Sequence, residues 1–157
     1  MRRLLKFLHT LGAVGLMGAM ASFLVAVITP APTSLPIQAA LLGALANIAT
    51  WVFLPSLVLT LISGLLAIAV NPGYHDAGWV WAKLATGILI FEGGFTRVAG
   101  PIQAWGRTSA AALSGRLDPG DLAHSIGAER NTLWVLLAVA LANVALGVWR
   151  PRLEYPV

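Results

Sequence analysis

After Lys6 the chain carries no lysine, arginine, aspartate or glutamate until Asp76. Soluble domains contain about 25% charged residues, whereas only 10% of this chain is charged and 58% of it is hydrophobic. The charge-free segment is long enough for two helices of the roughly 20 apolar residues that cross a bilayer. The sequence therefore predicts a protein that lies within the lipid bilayer.

Four apolar segments follow one another along the chain, each close to the roughly 17 to 25 residues of a membrane-spanning helix: residues 4–28, 38–70, 78–99 and 131–149. Pro30, Pro32 and Pro36 interrupt the first connection because proline removes a backbone donor and opposes helix continuation. Asn71, Pro72 and Gly73 end the second segment. We expect a single all-α domain over residues 1–157, a polytopic bundle of four transmembrane helices.

Two of these segments are unusual in length or composition. The first follows basic residues and contains Ala19 and Ala21 in the spacing of a secretory cleavage site, but its apolar run continues to Ile28, too long for an ordinary signal peptide. We therefore expect it to be a membrane helix. The second would be about 50 Å long as a regular helix, beyond the bilayer core, and Pro55 is the expected position of a kink.

The remaining hydrophilic segment, residues 100–130, connects the third and fourth spans. It is too small and too rich in alanine for an independent domain, so we expect short surface helices there. The net charge of +4 comes from basic residues at the ends of apolar spans. That position indicates topology anchors and not binding of nucleic acid. With the N-terminus inside, five basic residues lie on the inner side and four outside: Arg2, Arg3, Lys6, Arg150 and Arg152 against Arg97, Arg107, Arg116 and Arg130. This margin favours both termini in the cytoplasm. We expect the membrane to be a bacterial inner membrane.

The chain has no cysteine, so disulfides, thiolate chemistry and iron–sulfur clusters are excluded, and histidine is the available soft ligand. His9 lies three residues after Lys6, about 4.5 Å further along a regular helix. It either reaches lipid headgroups or serves as a ligand. Gly12, one turn later on the same face, would leave room for a flat ligand such as haem.

Lys83 and Glu92 are charged residues within the third segment, and Arg97 lies near its end. If the first and third helices run parallel, Lys83 and His9 enter from the same membrane face and could share one site; alternatively Lys83 reaches the interface. Glu92 points to the opposite face of a regular helix from Lys83. An intramembrane carboxylate is a functional candidate. The alternative is a structural carboxylic acid, which is protonated, accepts a hydrogen bond from Asn47, Asn143 or Thr96, or is turned by a bend at Gly93 and Gly94.

His75 lies in the loop after the second segment, on the same side of the membrane as His9 in an alternating topology. It is a candidate for a second metal ligand or proton donor, and a solvated loop residue is the alternative. No glycine-rich phosphate loop, HExxH pair or serine–histidine–aspartate arrangement is present.

The order of these motifs resembles HemJ-type membrane proteins, the haem-associated protoporphyrinogen oxidases, and the related CopD-like and small uncharacterised integral membrane families. The resemblance rests on the Lys6-x-x-His9-x-x-Gly12 segment, the proline-containing second helix and the "GWVWAKL" start of the third. It implies that His9 matches a presumed haem ligand and Lys83 the lysine of the third helix. The further histidine that HemJ-type proteins carry late in helix three is replaced here by Gly93 and Gly94.

Three functional hypotheses follow. The leading one is binding of b-type haem or a related tetrapyrrole with a redox or haem-biosynthesis role, in which His9 ligates iron and Lys83 pairs with a propionate. The second is a non-catalytic accessory or assembly subunit, or a homo-oligomer, whose glycine-rich faces pack within a larger membrane complex. The third, copper transport, is less favoured because the chain lacks cysteine and has only three methionines.

Overall fold

The computed structural model describes residues 2–116 and 129–149. Within these ranges the chain forms six α-helices, numbered in chain order: α1 Arg2–Ile28, α2 Leu35–Ile48, α3 Leu54–Ala69, α4 Gly78–Gly93, α5 Gly100–Leu113 and α6 Glu129–Trp149. Two π-helical segments, Ala49–Phe53 and Gly94–Ala99, and a 3-10 turn, Pro72–Tyr74, complete them. No strand occurs in the described residues, and the all-α prediction is confirmed.

The helices join into four continuous rods. α1 and α6 stand alone, whereas the first π-helical segment joins α2 to α3 in the second rod and the second joins α4 to α5 in the third rod. Three helical segments within the described ranges are long and apolar enough to cross a membrane: Arg2–Ile28, Leu35–Ala69 and Arg130–Trp149. The third rod, residues 78–113, carries Lys83, Glu92 and Arg97 and does not reach that hydropathy.

Each π-helical segment lies directly before a proline of the next α-helix. Pro55 follows the first segment and Pro101 follows the second. A proline ring in a regular α-helix collides with the carbonyl four residues earlier, which in both rods lies inside the π-helical segment. The wider i→i+5 turn relieves this collision. Both rods therefore continue as helices past their prolines, and the position where the sequence predicts a kink holds a π-helical turn.

The helices pack in three pairs, and the bundle has a half with the cavity and a half with the packed core. α1 packs mainly against α3, α4 against α6, and α2 against α5, whereas α3 and α4 approach each other only loosely. Phe23 and Phe53 are fully buried with their rings edge-to-face at a centroid distance of 5.6 Å, and Ile102, Val98 and Leu133 complete this core. The core fills the half near α2 and α5, and the separation of α3 from α4 leaves space in the other half.

The connector predicted over residues 100–130 differs from the structure in its first part. Residues 100–113 form α5, a continuation of the third rod whose one face buries Ile102 and Trp105. Gly106 allows this contact, because a Cβ atom there would lie only 2.7 Å from the Cβ of Ala46 on α2. Predictions from the sequence for residues 117–128, Arg150 and Arg152 fall outside the described residues.

The outer surface of the bundle is unusually apolar. Val14, Trp51 and Val148 are 66%, 76% and 70% exposed, and many leucine and isoleucine side chains are exposed as well. Soluble monomers rarely expose contiguous apolar patches beyond a few hundred Å². The surface and the three long apolar segments are together consistent with a membrane protein.

Candidate functional site

A cavity of about 610 Å³ lies between α1, α3, α4 and α6. It extends from Lys6 and Tyr74 near the helix ends to Leu57 and Phe91 inside the bundle. Its wall is mostly aliphatic, and its polar side chains are few: Lys6, His9, Thr10, Thr60, Lys83 and Asn143, with Tyr74 and Trp79 at the rim. Cavities of about 300–1,000 Å³ with this character hold cofactor-sized ligands.

His9 is fixed in one orientation by α3. Its Nδ1 atom lies 2.9 Å from the backbone carbonyl oxygen of Thr60, and because a carbonyl can only accept, Nδ1 must donate. Ser63 Oγ, 3.3 Å from the same nitrogen, donates its own proton to the Leu59 carbonyl. The neutral imidazole therefore carries its lone pair on Nε2. No hydrogen bond to Nε2 is found within residues 2–116 and 129–149.

Gly64 lets the His9 imidazole pack closely against α3. A Cβ atom at Gly64 would lie 3.3 Å from His9 Cε1 and 3.4 Å from Nδ1. The ring therefore rests directly on the backbone of α3, where a larger side chain would push it away. Histidines that ligate metals commonly donate their second ring N–H to a backbone carbonyl, which sets the tautomer and the ring orientation. His9 has this arrangement.

Lys83 and Asn143 bridge α4 and α6 on the other side of the cavity. Lys83 Nζ donates to both the backbone oxygen and the Oδ1 atom of Asn143, each at 2.7 Å. Asn143 Nδ2 donates in return to the Lys83 carbonyl at 3.0 Å and to Thr86 Oγ1 at 2.7 Å. An ammonium group has three donors, so one N–H of Lys83 has no acceptor among the described residues.

The structure brings His9 and Lys83 into the same cavity. Gly147 of α6 makes room for the lysine, since a Cβ atom there would lie 2.9 Å from Nζ. Lys6, one turn before His9 on α1, adds a second cationic side chain to the same wall. The cavity therefore combines an apolar interior with an imidazole and two ammonium groups.

The space that the sequence assigns to a ligand beside Gly12 is occupied by α3, which corrects that expectation. A Cβ atom at Gly12 would lie 2.5 Å from Thr60 Oγ1, 2.9 Å from Thr60 N and 3.0 Å from Ser56 O. Gly12 is buried and does not line the cavity. Its role is to let α1 and α3 approach closely, and this approach brings His9 to the Thr60 carbonyl.

Glu92 and His75 lie away from the cavity. The Glu92 side chain is exposed on the outside of the third rod, and Thr96 donates to its backbone carbonyl, not to its carboxylate. His75 is exposed, and its Nε2 donates to the Ile68 carbonyl at 3.2 Å. The structure therefore does not bring either residue to His9.

Several residues of the site give little signal in the sequence. Asn143 bonds Lys83 across 60 positions of chain, and the acceptor for His9 is a backbone oxygen. Tyr74 reaches the cavity rim from the 3-10 turn, where its ring packs edge-to-face on Trp79 at 5.7 Å. The one sequence signal for Asn143 is an amide within an apolar helix, which favours a hydrogen bond between helices.

Within the described ranges, no three histidine, aspartate or glutamate side chains meet in an arrangement that could hold a bare metal ion. Comparison of the chain with protein-family models, curated proteins and solved structures finds no match. The fold and the site define an all-helical protein in which three apolar segments of membrane-spanning length and the less apolar third rod surround a cavity.

Replacing Asn143 with leucine is expected to destabilise the protein by about 1.5–3 kcal/mol, the usual range for hydrogen bonds to a charged group. Adding Lys83→Met to this variant should recover most of the loss, because removing both partners leaves no unpaired ammonium group. Denaturant unfolding in detergent, followed by tryptophan fluorescence, measures both. Asn47→Leu, at an exposed position of α2, is the control. Strictly additive losses in the double variant would show that the two side chains do not interact.

Proposed function

We propose that the protein binds haem b, or a related tetrapyrrole, in the cavity, with His9 as the iron ligand, and that this supports a redox or haem-biosynthesis role. The observation that carries the proposal is the hydrogen bond from His9 Nδ1 to the Thr60 carbonyl. It leaves Nε2 as the basic nitrogen on a side chain that lines the cavity. This is the tautomer and the support that an axial histidine needs.

The chemistry of the cavity fits a tetrapyrrole. The macrocycle is flat and apolar, as are most of the walls, and each of its two propionates is a carboxylate. Lys83 has one N–H available within the described residues, and Lys6 lies on the same wall as His9. Each lysine therefore offers an ammonium group to one propionate.

In this role the bound iron would supply the redox chemistry, and the chain's own residues would position it. His9, held by Thr60 and Gly64, fixes the iron-binding nitrogen. Leu57, Ile90 and Phe91 at the deep end of the cavity exclude water. The bonds between Lys83 and Asn143 hold the ammonium group at a constant distance from α6.

The membrane arrangement is part of the proposal. The third rod would cross the bilayer with the other three, because α4 packs along α6 over its length, with Gly93 against Leu136 and Lys83 against Asn143. The N-terminal end of α1 and the C-terminal end of α6 then lie on one side, and Arg2, Arg3 and Lys6 favour the cytoplasm. The compartment would be a bacterial inner membrane.

Titration of the purified protein with haem b in mild detergent tests the proposal. We expect saturable uptake of one haem per chain, a Soret band shifted from that of free haem, and a reduced-minus-oxidised spectrum typical of a histidine-ligated b-type haem. Metal-free protoporphyrin should bind more weakly, since it cannot use the His9 nitrogen.

His75→Ala serves as the matched control, because this exposed histidine lies outside the cavity and its loss should leave haem uptake unchanged. A folded preparation that takes up no haem would contradict the proposal. It would then favour the accessory-subunit hypothesis, in which the bundle packs against a larger membrane complex.

A further inference from the structure

The third rod presents two opposite charges on its outer surface. Glu92 and Arg97 are both exposed. Their level in the bundle follows from the glycines between them: a Cβ atom at Gly93 would lie 3.0 Å from Leu136 on α6, and one at Gly94 would lie 3.1 Å from Phe53 in the second rod. Leu136 and Phe53 both lie well inside segments of membrane-spanning length. Glu92 is therefore level with the hydrocarbon part of the bundle.

A charged side chain at this level that faces outward is unusual. Ionisable residues in membrane helices almost always face the bundle interior or a water-filled cavity, and they pair with one another. Among the described residues, neither the Glu92 carboxylate nor the Arg97 guanidinium has an ion-pair partner. Within residues 2–116 and 129–149 both groups are therefore unpaired, and a partner from outside this part of the chain would offset the cost of placing them in hydrocarbon.

The π-helical segment Gly94–Ala99 carries an exposed surface next to the two charges. Phe95, Thr96 and Arg97 are three consecutive exposed residues, whereas Val98 and Ala99 are buried. Thr96 is small, and a Cβ atom at exposed Gly100 would have no neighbour within 4 Å. Small residues one turn apart let another helix approach closely. The charges therefore flank a surface on which a helix from another chain can pack.

We propose that this surface binds a second copy of the same chain, with Glu92 of each copy paired to Arg97 of the other. A twofold dimer uses the same patch on both subunits, so the patch has to be complementary to itself. A patch with one acidic and one basic group meets that requirement. A partner of a different sequence would need its own pair of opposite charges at the same spacing, which a second copy of this chain already carries.

The spacing of the charges suits two copies inserted in the same orientation. A twofold axis along the membrane normal places equivalent residues of the two third rods opposite each other near Phe95. Glu92 of one copy is then displaced along the axis from Arg97 of the other by at most about 7.5 Å, the rise of five α-helical residues, because the wider π-helical turns between them rise less per residue. The long arginine side chain covers this offset, and two equivalent ion pairs form.

The cysteine-free sequence permits a direct test by disulfide crosslinking in native membranes. Thr96→Cys should give a crosslinked dimer upon mild oxidation, because the two positions lie near the axis at a Cα separation a disulfide can span, below about 7 Å. Ser22→Cys is the matched control. Ser22 is also exposed and also bonds the carbonyl four residues earlier, but it lies on α1.

Charge exchange between copies tests the pairing itself. In the Thr96→Cys background, Glu92→Arg alone and Arg97→Glu alone should each lose most of the crosslinked dimer, since every pair then joins like charges. When the two variants, carrying different tags, are produced together, crosslinking between them should return, because both pairs are again opposite. An ion pair within one chain would not be restored by mixing.

The contrary outcomes are equally specific. Equal crosslinking of Ser22→Cys and Thr96→Cys, or undiminished crosslinking of each charge variant alone, would overturn the proposal. If the charge reversals prevent accumulation of the protein, Glu92→Gln replaces them. It keeps the shape of the side chain, and it should lower crosslinking of Thr96→Cys without changing haem uptake. An unchanged dimer yield in Glu92→Gln would likewise overturn the pairing.

Discussion

A His9→Gly variant is expected to bind haem at least about 100-fold more weakly than the unmodified protein. Removing only the hydrogen-bond partner of a metal-ligating histidine already lowers metal affinity about 10- to 100-fold, and this variant removes the ligand itself. Free imidazole should restore much of the binding. It can enter the space left by the side chain and present its own nitrogen to the iron. Haem titrations with and without imidazole, read from the Soret band, measure both effects.

Rescue by imidazole separates a ligand from a packing residue. If His9 only filled space between α1 and α3, an added small molecule would restore stability and would not restore the spectrum of a histidine-ligated haem. His75→Gly, with the same chemical change at an exposed position, should show neither loss nor rescue. Unchanged haem affinity in His9→Gly would show that another residue ligates the iron.

Gly12→Ala is expected to lower the free energy of unfolding by about 1–3 kcal/mol, the usual range for overpacking in a well-packed core. The added methyl group would lie 2.9 Å from the backbone nitrogen of Thr60 and 3.0 Å from the backbone oxygen of Ser56. These atoms belong to the α3 backbone and cannot turn aside like a flexible side chain. α1 and α3 therefore have to separate, which also lengthens the hydrogen bond between His9 and Thr60.

Gly18→Ala is the matched control on the same helix. A Cβ atom at Gly18 would have no neighbour within 4 Å, so alanine there should be neutral or stabilising by up to about 1 kcal/mol through its higher helix propensity. Denaturant unfolding in detergent compares the two variants. Equal effects at both glycines would mean that the contact of α1 with α3 does not depend on Gly12.

The sequence predicts the helical rods well because their signals are local. The charge-free run, the apolar segments and the prolines near residues 30–36 place the end of α1 at Ile28, and the breaker at Asn71 places the start of α4 at Gly78. The continuation of the third rod to Leu113 is not predicted. Residues 100–113 are less apolar than the segments of membrane-spanning length, and it is their packing on α2, with Ile102 and Trp105 buried and Gly106 close to Ala46, that shows α5 to be part of the bundle.

The candidate site was predictable in part. Alternating topology places His9 and Lys83 at the same end, and both line the cavity. The face of α1 that meets α3 depends on packing between distant segments, so the position of Gly12 could not be inferred from its spacing to His9. The Thr60 carbonyl has no signal in the sequence, because every residue has one.

The buried core also limits how a ligand can travel. Phe23, Phe53, Ile102 and Leu133 belong to one packed core with Leu57 and Ile90 of the cavity wall, so among the described residues packed side chains close the deep end of the cavity. A ligand therefore reaches the cavity past Lys6 and Tyr74 at the helix ends, or from the side of α1 where Val14 is exposed, and not through the packed half of the bundle.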